Sequence, residues 1–340
     1  MGRHIITTRG VGRYALVVGV TSLLLAGCTA GAATLSAVGV PSLSLSAPLT
    51  ALACSTTGSC IALGASGGAS GPTTAAQIRN HKGIWSALNV PQAPSASIDA
   101  ASCAVSNCLV GGTRNSGDLL WSVNANNGAT TALTGPAGGV VIQDLSCASD
   151  SECVAIDQAA HGLTRISHTT DAGRIWSAPR TLIWASNTNT VLDCTSVFQC
   201  YVATTSALHH VTLRKTLNSG ITWTILSTPA TWTSLSSLDC TVTCTTLVSN
   251  ATGSSVATQS KLTWKLTPLK FIATSMSCAT SVTCLVVGHL ASQAAAMAQW
   301  KPGAVSNVPL TYVPTSLNSV ACAPAVCVAV GVTTTVALRP

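Results

Sequence analysis

Residues 141–176 read VIQDLSCASDSECVAIDQAAHGLTRISHTTDAGRIW. An alternating run ends at Cys147, a short polar turn follows, and a mostly apolar run opens at Cys153. Two such runs joined by a few residues read as a β-hairpin. A third run leads into the turn 169–176, with Asp171, Gly173 and Trp176. Asp, Glu, His and two Cys lie close together, so alone the stretch could pass for an active motif. It is one of seven copies.

Fourteen of the fifteen cysteines fall into close pairs: Cys54/Cys60, Cys103/Cys108, Cys147/Cys153, Cys194/Cys200, Cys240/Cys244, Cys278/Cys284 and Cys322/Cys327. Successive first cysteines lie 49, 44, 47, 46, 38 and 44 residues apart. Runs such as LTALAC and IDAASC precede the first Cys, and CIALG and CLVGG begin at the second. A strand-rich period of this length is that of a four-stranded propeller blade. Cysteines at the two ends of a hairpin sit opposite each other, where a disulfide can form. The competing reading is zinc, which needs two pairs to converge and leaves one of seven unmatched.

Composition agrees with an all-β chain. Only 7% of residues are charged and 47% are hydrophobic, and Glu occurs once, at Glu152. Abundant Thr and Val suit pleated sheets. The formal charge is +7, but Arg3, Arg9 and Arg13 supply three units, leaving a scattered +4. No Lys/Arg cluster tracks phosphates, which argues against nucleic-acid binding.

Those arginines precede an apolar run, Ala15 to Leu25, and then Leu25-Ala26-Gly27-Cys28. The run is shorter than a bilayer-spanning helix and reads as a secretory signal over 1–27. Its ending resembles the bacterial lipobox, which implies lipid attachment at Cys28, an extracytoplasmic membrane-anchored location and oxidised cysteines. Residues 28–33 read as a tether, and 34–340 as the folded domain.

Residues 169–176 (TTDAGRIW) and 216–223 (TLNSGITW) share Ser/Thr-x-Asp/Asn-x-Gly-x-x-Trp. Weaker versions occur at 124–131, 80–85, 258–264 and 299–303. Gly takes a positive φ, Asp or Asn caps backbone N–H groups, and Trp tucks beneath. This resembles the Asp-box (BNR) repeat of sialidase-like propellers and, with the Cys hairpin, the blades of photosystem II assembly-factor-like propellers. The resemblance spans about 49–340. It implies a seven-bladed β-propeller with four antiparallel strands per blade and innermost strands at 49–54, 98–103, 142–147, 189–194, 235–240, 273–278 and 317–322. The seventh unit ends without a Gly-Trp turn or outer strand, so 34–46 is expected to supply that strand and close the ring.

Sialidases use a Tyr nucleophile, carboxylates and an Arg cluster, but none of these transfers residue by residue. Glu152 sits in a Cys hairpin, on the wrong face. Asp99, Asp144, Asp193 and Asp239 recur just before first cysteines, which suggests a structural role. His209 and His210 are neighbours on one strand and point to opposite faces. No catalytic residue, metal site or cofactor is assigned. The face opposite the hairpins holds Arg114, Asp118, Asp157, His161, Arg180, Trp184, Trp232, Lys270 and Tyr312. Arg114, Arg180, Trp184, Trp232 and Tyr312 are the candidate binding residues, because exposed aromatics and Arg anchor interfaces. The competing role for Trp184 and Trp232 is to cover blade junctions. The expected function is a noncatalytic binding or scaffold module, monomeric, for a protein or envelope glycan. The alternatives are a divergent glycosidase and an assembly factor for a membrane complex.

Overall fold

The computed structural model describes Val38, Gly39, Leu49 and residues 51–68, 71–80, 84–88, 97–114, 117–185, 189–240, 243–261, 263–310, 316–324, 326–331 and 335–338. The expected leader 1–27, the expected tether 28–33 with Cys28, most of 34–46, and Tyr312 lie outside them.

These residues form seven four-stranded antiparallel sheets, here called blades 1 to 7, the first six each built from consecutive strands in the chain. The first strands are Ala51–Cys54, Ser97–Cys103, Gly139–Cys147, Asn189–Cys194, Ser234–Cys240, Ile272–Thr280 and Leu317–Ala323. Second strands are the most buried: Cys153–Ala159 and Cys200–Thr205 each begin with five consecutive buried residues. They lie between two strands with sheets above and below, which requires a continuous apolar run. Fourth strands such as Thr224–Leu226 are short and mostly exposed. In blade 7 the fourth position is taken by Val38–Gly39, pairing Val38 with Ala337 and Gly39 with Val336.

All seven cysteine pairs are disulfides: Cys54–Cys60, Cys103–Cys108, Cys147–Cys153, Cys194–Cys200, Cys240–Cys244, Cys278–Cys284 and Cys322–Cys327. In each, the two cysteines are directly opposite in register across the first and second strands. The zinc alternative therefore falls. The second cysteines, among them Cys108, Cys244 and Cys284, are buried in the core clusters. Five of the first cysteines, Cys54, Cys103, Cys147, Cys278 and Cys322, are half-buried. This many bridges belong to an oxidising environment outside the cytoplasm. Five first strands carry an irregularity at one place, skipping the residue four before the first Cys: Asp99, Gln143, Ser236, Thr274 and Asn318. The extra residue bends the strand and pushes its backbone toward the second strand. In blades 2, 6 and 7 a glycine faces it. A Cβ on Gly112, Gly288 or Gly331 would collide with the carbonyl of Ser97, Ile272 or Ser316.

The apolar core is divided among blade junctions. One cluster joins blades 1 and 2 through Ile61, Leu63, Val110 and Trp121. Another joins blades 7 and 1 through Val328, Val330, Leu52 and Ala62. Each remaining successive pair shares its own cluster. The first strands are also stitched together. The free edge of a first strand leaves N–H groups unpaired within its own sheet. The residue before the first Cys accepts from the first Cys N–H of the next blade: Ser102 from Cys147 at 2.9 Å, Ser146 from Cys194 at 2.9 Å, Asp193 from Cys240 at 2.5 Å and Ser277 from Cys322 at 3.0 Å. Asp239 accepts from Cys278 in the same way. A second row joins Asp144 to the Leu192 N–H, Ser237 to Met276 and Ser275 to Val320. Blades 1 and 7 have Ala53 and Ala321 at the first of these positions, with no side-chain acceptor.

Candidate functional site

Each blade's hairpin turn and third-to-fourth-strand turn share one end of the molecule. In blade 4 the Phe198 carbonyl accepts from the Ser219 N–H at 3.1 Å, and in blade 3 Ser151 accepts from Ala172 at 2.9 Å. The turns 169–176 and 216–223 behave as their sequence requires. The Asp171 carboxylate accepts from the Thr169 hydroxyl and the Ile175 N–H, and those bonds hold it below the usual carboxylate range. Gly173 and Gly220 take φ of +85° and +79°. Asp171 is thus a turn residue, closed by its own bonds.

The opposite end carries the candidate face, and its most organised feature lies between blades 2 and 3. In blades 1, 2, 6 and 7 the fourth residue after the second Cys is glycine: Gly64, Gly112, Gly288 and Gly331. Blade 3 places Asp157 there, opposite Ile142 beside the bulge. Asp157 is 0% exposed. Its register partner on the third strand is Arg165. Arg165 Nε donates to Asp157 Oδ1 at 2.7 Å, Nη2 lies 2.6 Å from the same oxygen, and Nη1 donates to the Ala137 carbonyl at 2.9 Å. Arg165 thereby holds the connection 135–139 that carries the chain from blade 2 to blade 3. Asp118 packs beneath the same connection, where a Cβ on Gly135 would collide with its Oδ2. Burial pushes Asp157 up to about 6; Arg165 opposes the shift and Asp118 adds to it. Burial also raises Asp118, against the pull of Arg114 and Arg165. Exposed Arg114 borders this knot. A carboxylate with no solvent exposure and a guanidinium on it cannot meet a substrate, so the knot shapes the face.

The two tryptophans expected as exposed anchors are built into blade junctions. Trp232 is 1% exposed, with its ring 5.0 Å from Trp264 and edge-on at 69°. Trp184 is half-buried, 5.3 Å from Trp223 at 71°, with the Arg214 guanidinium 4.5 Å over its ring. Both obey one rule: a Trp in the connection packs edge-on against the Trp that opens the next blade's fourth strand. Offset or edge-on aromatic pairs are the favoured geometry. Trp232 is therefore removed from the exposed surface, and Trp184 presents only part of its ring. Ile183, next to Trp184 in the chain, is 83% accessible, and Leu208, in the second-to-third-strand turn of blade 4, is 79% accessible.

Arg180 is exposed on the outer strand of blade 3, beside His168, whose pKa burial lowers, with Arg180 adding to the effect. It does not join Arg114. Lys270 stands at a cavity of about 240 Å³ formed with Phe271, Leu290, Met297, Val308 and Leu310 at blades 6 and 7. His161 and His209 occupy left-handed positions, φ 68° and 58°, in second-to-third-strand turns. Among the described residues no three His, Cys, Asp or Glu side chains converge as a metal set, and no helix is long and apolar enough to cross a membrane. Arg165 and Arg214 escape a reading of the sequence alone. An Asp eight residues before an Arg across a short turn, at a position where sister blades carry Gly, is the signal for the first.

Solved structures with this architecture are numerous and distant. YCF48 with bound D1 peptide aligns with a TM-score of 0.63 and 12% identity, over 90% of this chain and 96% of that one. Virginiamycin B lyase from Staphylococcus aureus gives 0.61 and 10%, over 90% and 99%. The WD40 β-propeller domain of Doa1 gives 0.59 and 10%, over 90% and 97%. The fold is a β-propeller. No protein-family model and no curated protein matches the chain. Propellers at this distance include a peptide binder and an enzyme, so fold leaves function open.

Proposed function

We propose that this chain is an extracytoplasmic, lipid-anchored, seven-bladed propeller that holds a protein partner on the face opposite its disulfide hairpins. The observation that carries the reading is the makeup of that face. Exposed Arg114, the highly exposed Ile183 and Leu208, and the cavity beside Lys270 offer anchors for a protein surface. The carboxylates nearest one another there, Asp118 and Asp157, are committed to the Arg165 knot, which favours binding over glycoside hydrolysis. The peptide bound to YCF48 supports the same class of partner. Closure of the ring by the N-terminal segment is supported by the Val38–Ala337 pairing and by the shared core of blades 7 and 1. The leader 1–27 places Cys28 to carry the lipid anchor, and Asp-box turns complete the family likeness.

One experiment separates the anchor from the binding face. Cells expressing wild type, Cys28→Ser or Arg114→Ala are labelled with a fatty-acid analogue, and the chain is captured from their membranes and crosslinked extracts. The wild type should carry label and a stoichiometric protein partner. Cys28→Ser should lose the label, and the arginine variant should lose at least tenfold of the partner while keeping the label. Label retained on Cys28→Ser defeats the anchor. A partner unaffected by the arginine change defeats the assigned face.

A further inference from the structure

Exposed apolar side chains occur at hairpin-end turns of other blades too, among them Ile84, Val105 and Ile175; blades 4 to 6 combine such tips with lysines and with turns that hold no Asp or Glu. In blade 4, Phe198 projects from the hairpin, and Leu217 and Ile221 from the adjoining Asp-box turn, at 60%, 64% and 59% exposure. The Ser219–Phe198 backbone bond holds the two turns side by side. Large apolar side chains at the tips of tight, polar-framed turns have no core to join. Blades 5 and 6 follow with exposed lysines: Lys261 in the third-to-fourth-strand turn, Lys265 on the outer strand and Lys301 at the next blade's turn. Lys265 leans across to blade 6, with its Nζ 3.1 Å from where a Cβ of Gly303 would stand. Thus Lys265 reaches the turn that begins at Lys301.

Carboxylates are missing from this sector. No Asp or Glu occurs after Asp239, whereas the same stretch holds Lys261, Lys265, Lys270, Lys301 and Arg339. Where blade 3 has Asp171 in its turn, blade 4 has Asn218. Asp193 and Asp239 face the backbone N–H groups of the neighbouring first strands. The lysines stand on the turns and outer strand of two adjacent blades, a projecting edge with apolar tips beside it.

We infer that this edge docks on an anionic bilayer surface, with Lys261, Lys265 and Lys301 against lipid headgroups and Phe198, Leu217 and Ile221 inserted among them. Apolar tips beside basic residues are what an interfacial contact requires, since each cation near an anionic leaflet contributes and each buried apolar group adds to it. A soluble polyanion accounts for the lysines alone and leaves the three apolar tips in water. The inference rests on the membrane-side reading above only for the choice of occupant. In this orientation the face with Arg114 and the Lys270 cavity points away from the bilayer.

The test uses the full-length Cys28→Ser chain, so that no lipid is attached and failure leaves the anchor reading untouched. Co-sedimentation is compared with vesicles of phosphatidylcholine alone and of phosphatidylcholine with phosphatidylglycerol, at low and high salt. The parent should prefer the anionic vesicles, with the preference falling steeply with salt. Lys261→Gln/Lys265→Gln/Lys301→Gln should weaken that binding by about a hundredfold. Phe198→Ser/Leu217→Ser/Ile221→Ser should weaken what survives high salt. Both variants change exposed side chains, and a retained melting transition verifies folding; should the triple lysine variant not fold, Lys265→Gln alone should still show about a fivefold loss. A parent that does not distinguish the two vesicles, or a lysine variant within twofold of the parent, overturns the inference. So does capture by a soluble anionic glycan without vesicle binding, which would assign the edge to a polymer.

Discussion

The melting temperature should fall as pH rises from 5 to 8, and Asp144→Asn/Asp193→Asn/Asp239→Asn should flatten that fall. These carboxyls sit in consecutive first strands, each accepting a backbone N–H from the next blade. Burial pushes Asp144 up to about 7, against the pull of the Leu192 and Leu145 N–H groups. Burial does the same to Asp193, also about 7, with Asp239 and Asp144 adding repulsion. It raises Asp239 to about 6. A carboxyl whose pKa is higher folded than unfolded binds its proton more tightly in the folded chain. Its contribution to stability is complete below about pH 4 and is lost as pH climbs through 6 to 7. Between pH 5 and 8 the loss is on the order of 2 kcal/mol per residue, or several degrees for the three together. Asn keeps an acceptor oxygen for the neighbouring N–H and carries no charge. The triple variant should therefore match wild type near pH 4, exceed it at pH 5 and exceed it most at pH 8. A wild-type melt that is flat or rises with pH over this range would show that the stitching carboxyls ionise freely.

Arg165→Met should cost about 3–5 kcal/mol at pH 8, because it leaves the fully buried Asp157 charge without its partner. The loss should shrink toward pH 5, where Asp157 takes up a proton, since burial has already raised its pKa to about 6. The connection 135–139 should loosen as well, because Arg165 also holds the Ala137 carbonyl. The second change is read from the sister blades. Asp157→Gly in the Arg165→Met background restores the residue that blades 1, 2, 6 and 7 carry at this position, and should recover most of the lost stability. Chemical denaturation of the single and double variants measures both effects. An Arg165→Met chain as stable as wild type at pH 8 would mean that the pair carries no net interaction. A double variant no better than the single one would place the defect in the connection.

The two predictions concern features of unequal legibility. Asp144, Asp193 and Asp239 stand out in the sequence because they recur before first cysteines, and a structural role follows from the recurrence. That they bond to the next blade is invisible there, since Asp193 and Cys240 are 47 residues apart and no periodicity inside one blade states which residues of two blades meet. Asp157 and Arg165 are eight residues apart on a hairpin, so their pairing is legible in principle. It is obscured because Asp157 reads as a loop candidate while Arg165 reads as one strand residue among many. Trp184 and Trp232 leave two readings open in the sequence, an exposed anchor and a cover for a blade junction, because neither fits a rule written within one blade. The rule exists between blades, where each meets the Trp of the next one.

The sequence by itself determined seven repeated units, the hairpin in each, the opposition of its two cysteines and the turn chemistry of Asp171 and Asn218. These depend on period-two alternation and on spacings of four to eight residues, which the chain fixes locally. The tertiary structure decided which side chains are available to a partner. It turned Trp232 inward, buried Asp157 beneath a bulge, and spent three carboxyls on the edges of neighbouring first strands. It left Phe198, Leu217 and Ile221 outside beside a row of lysines. Burial is a property of how blades pack on one another, and residues some 40 positions apart settle it together.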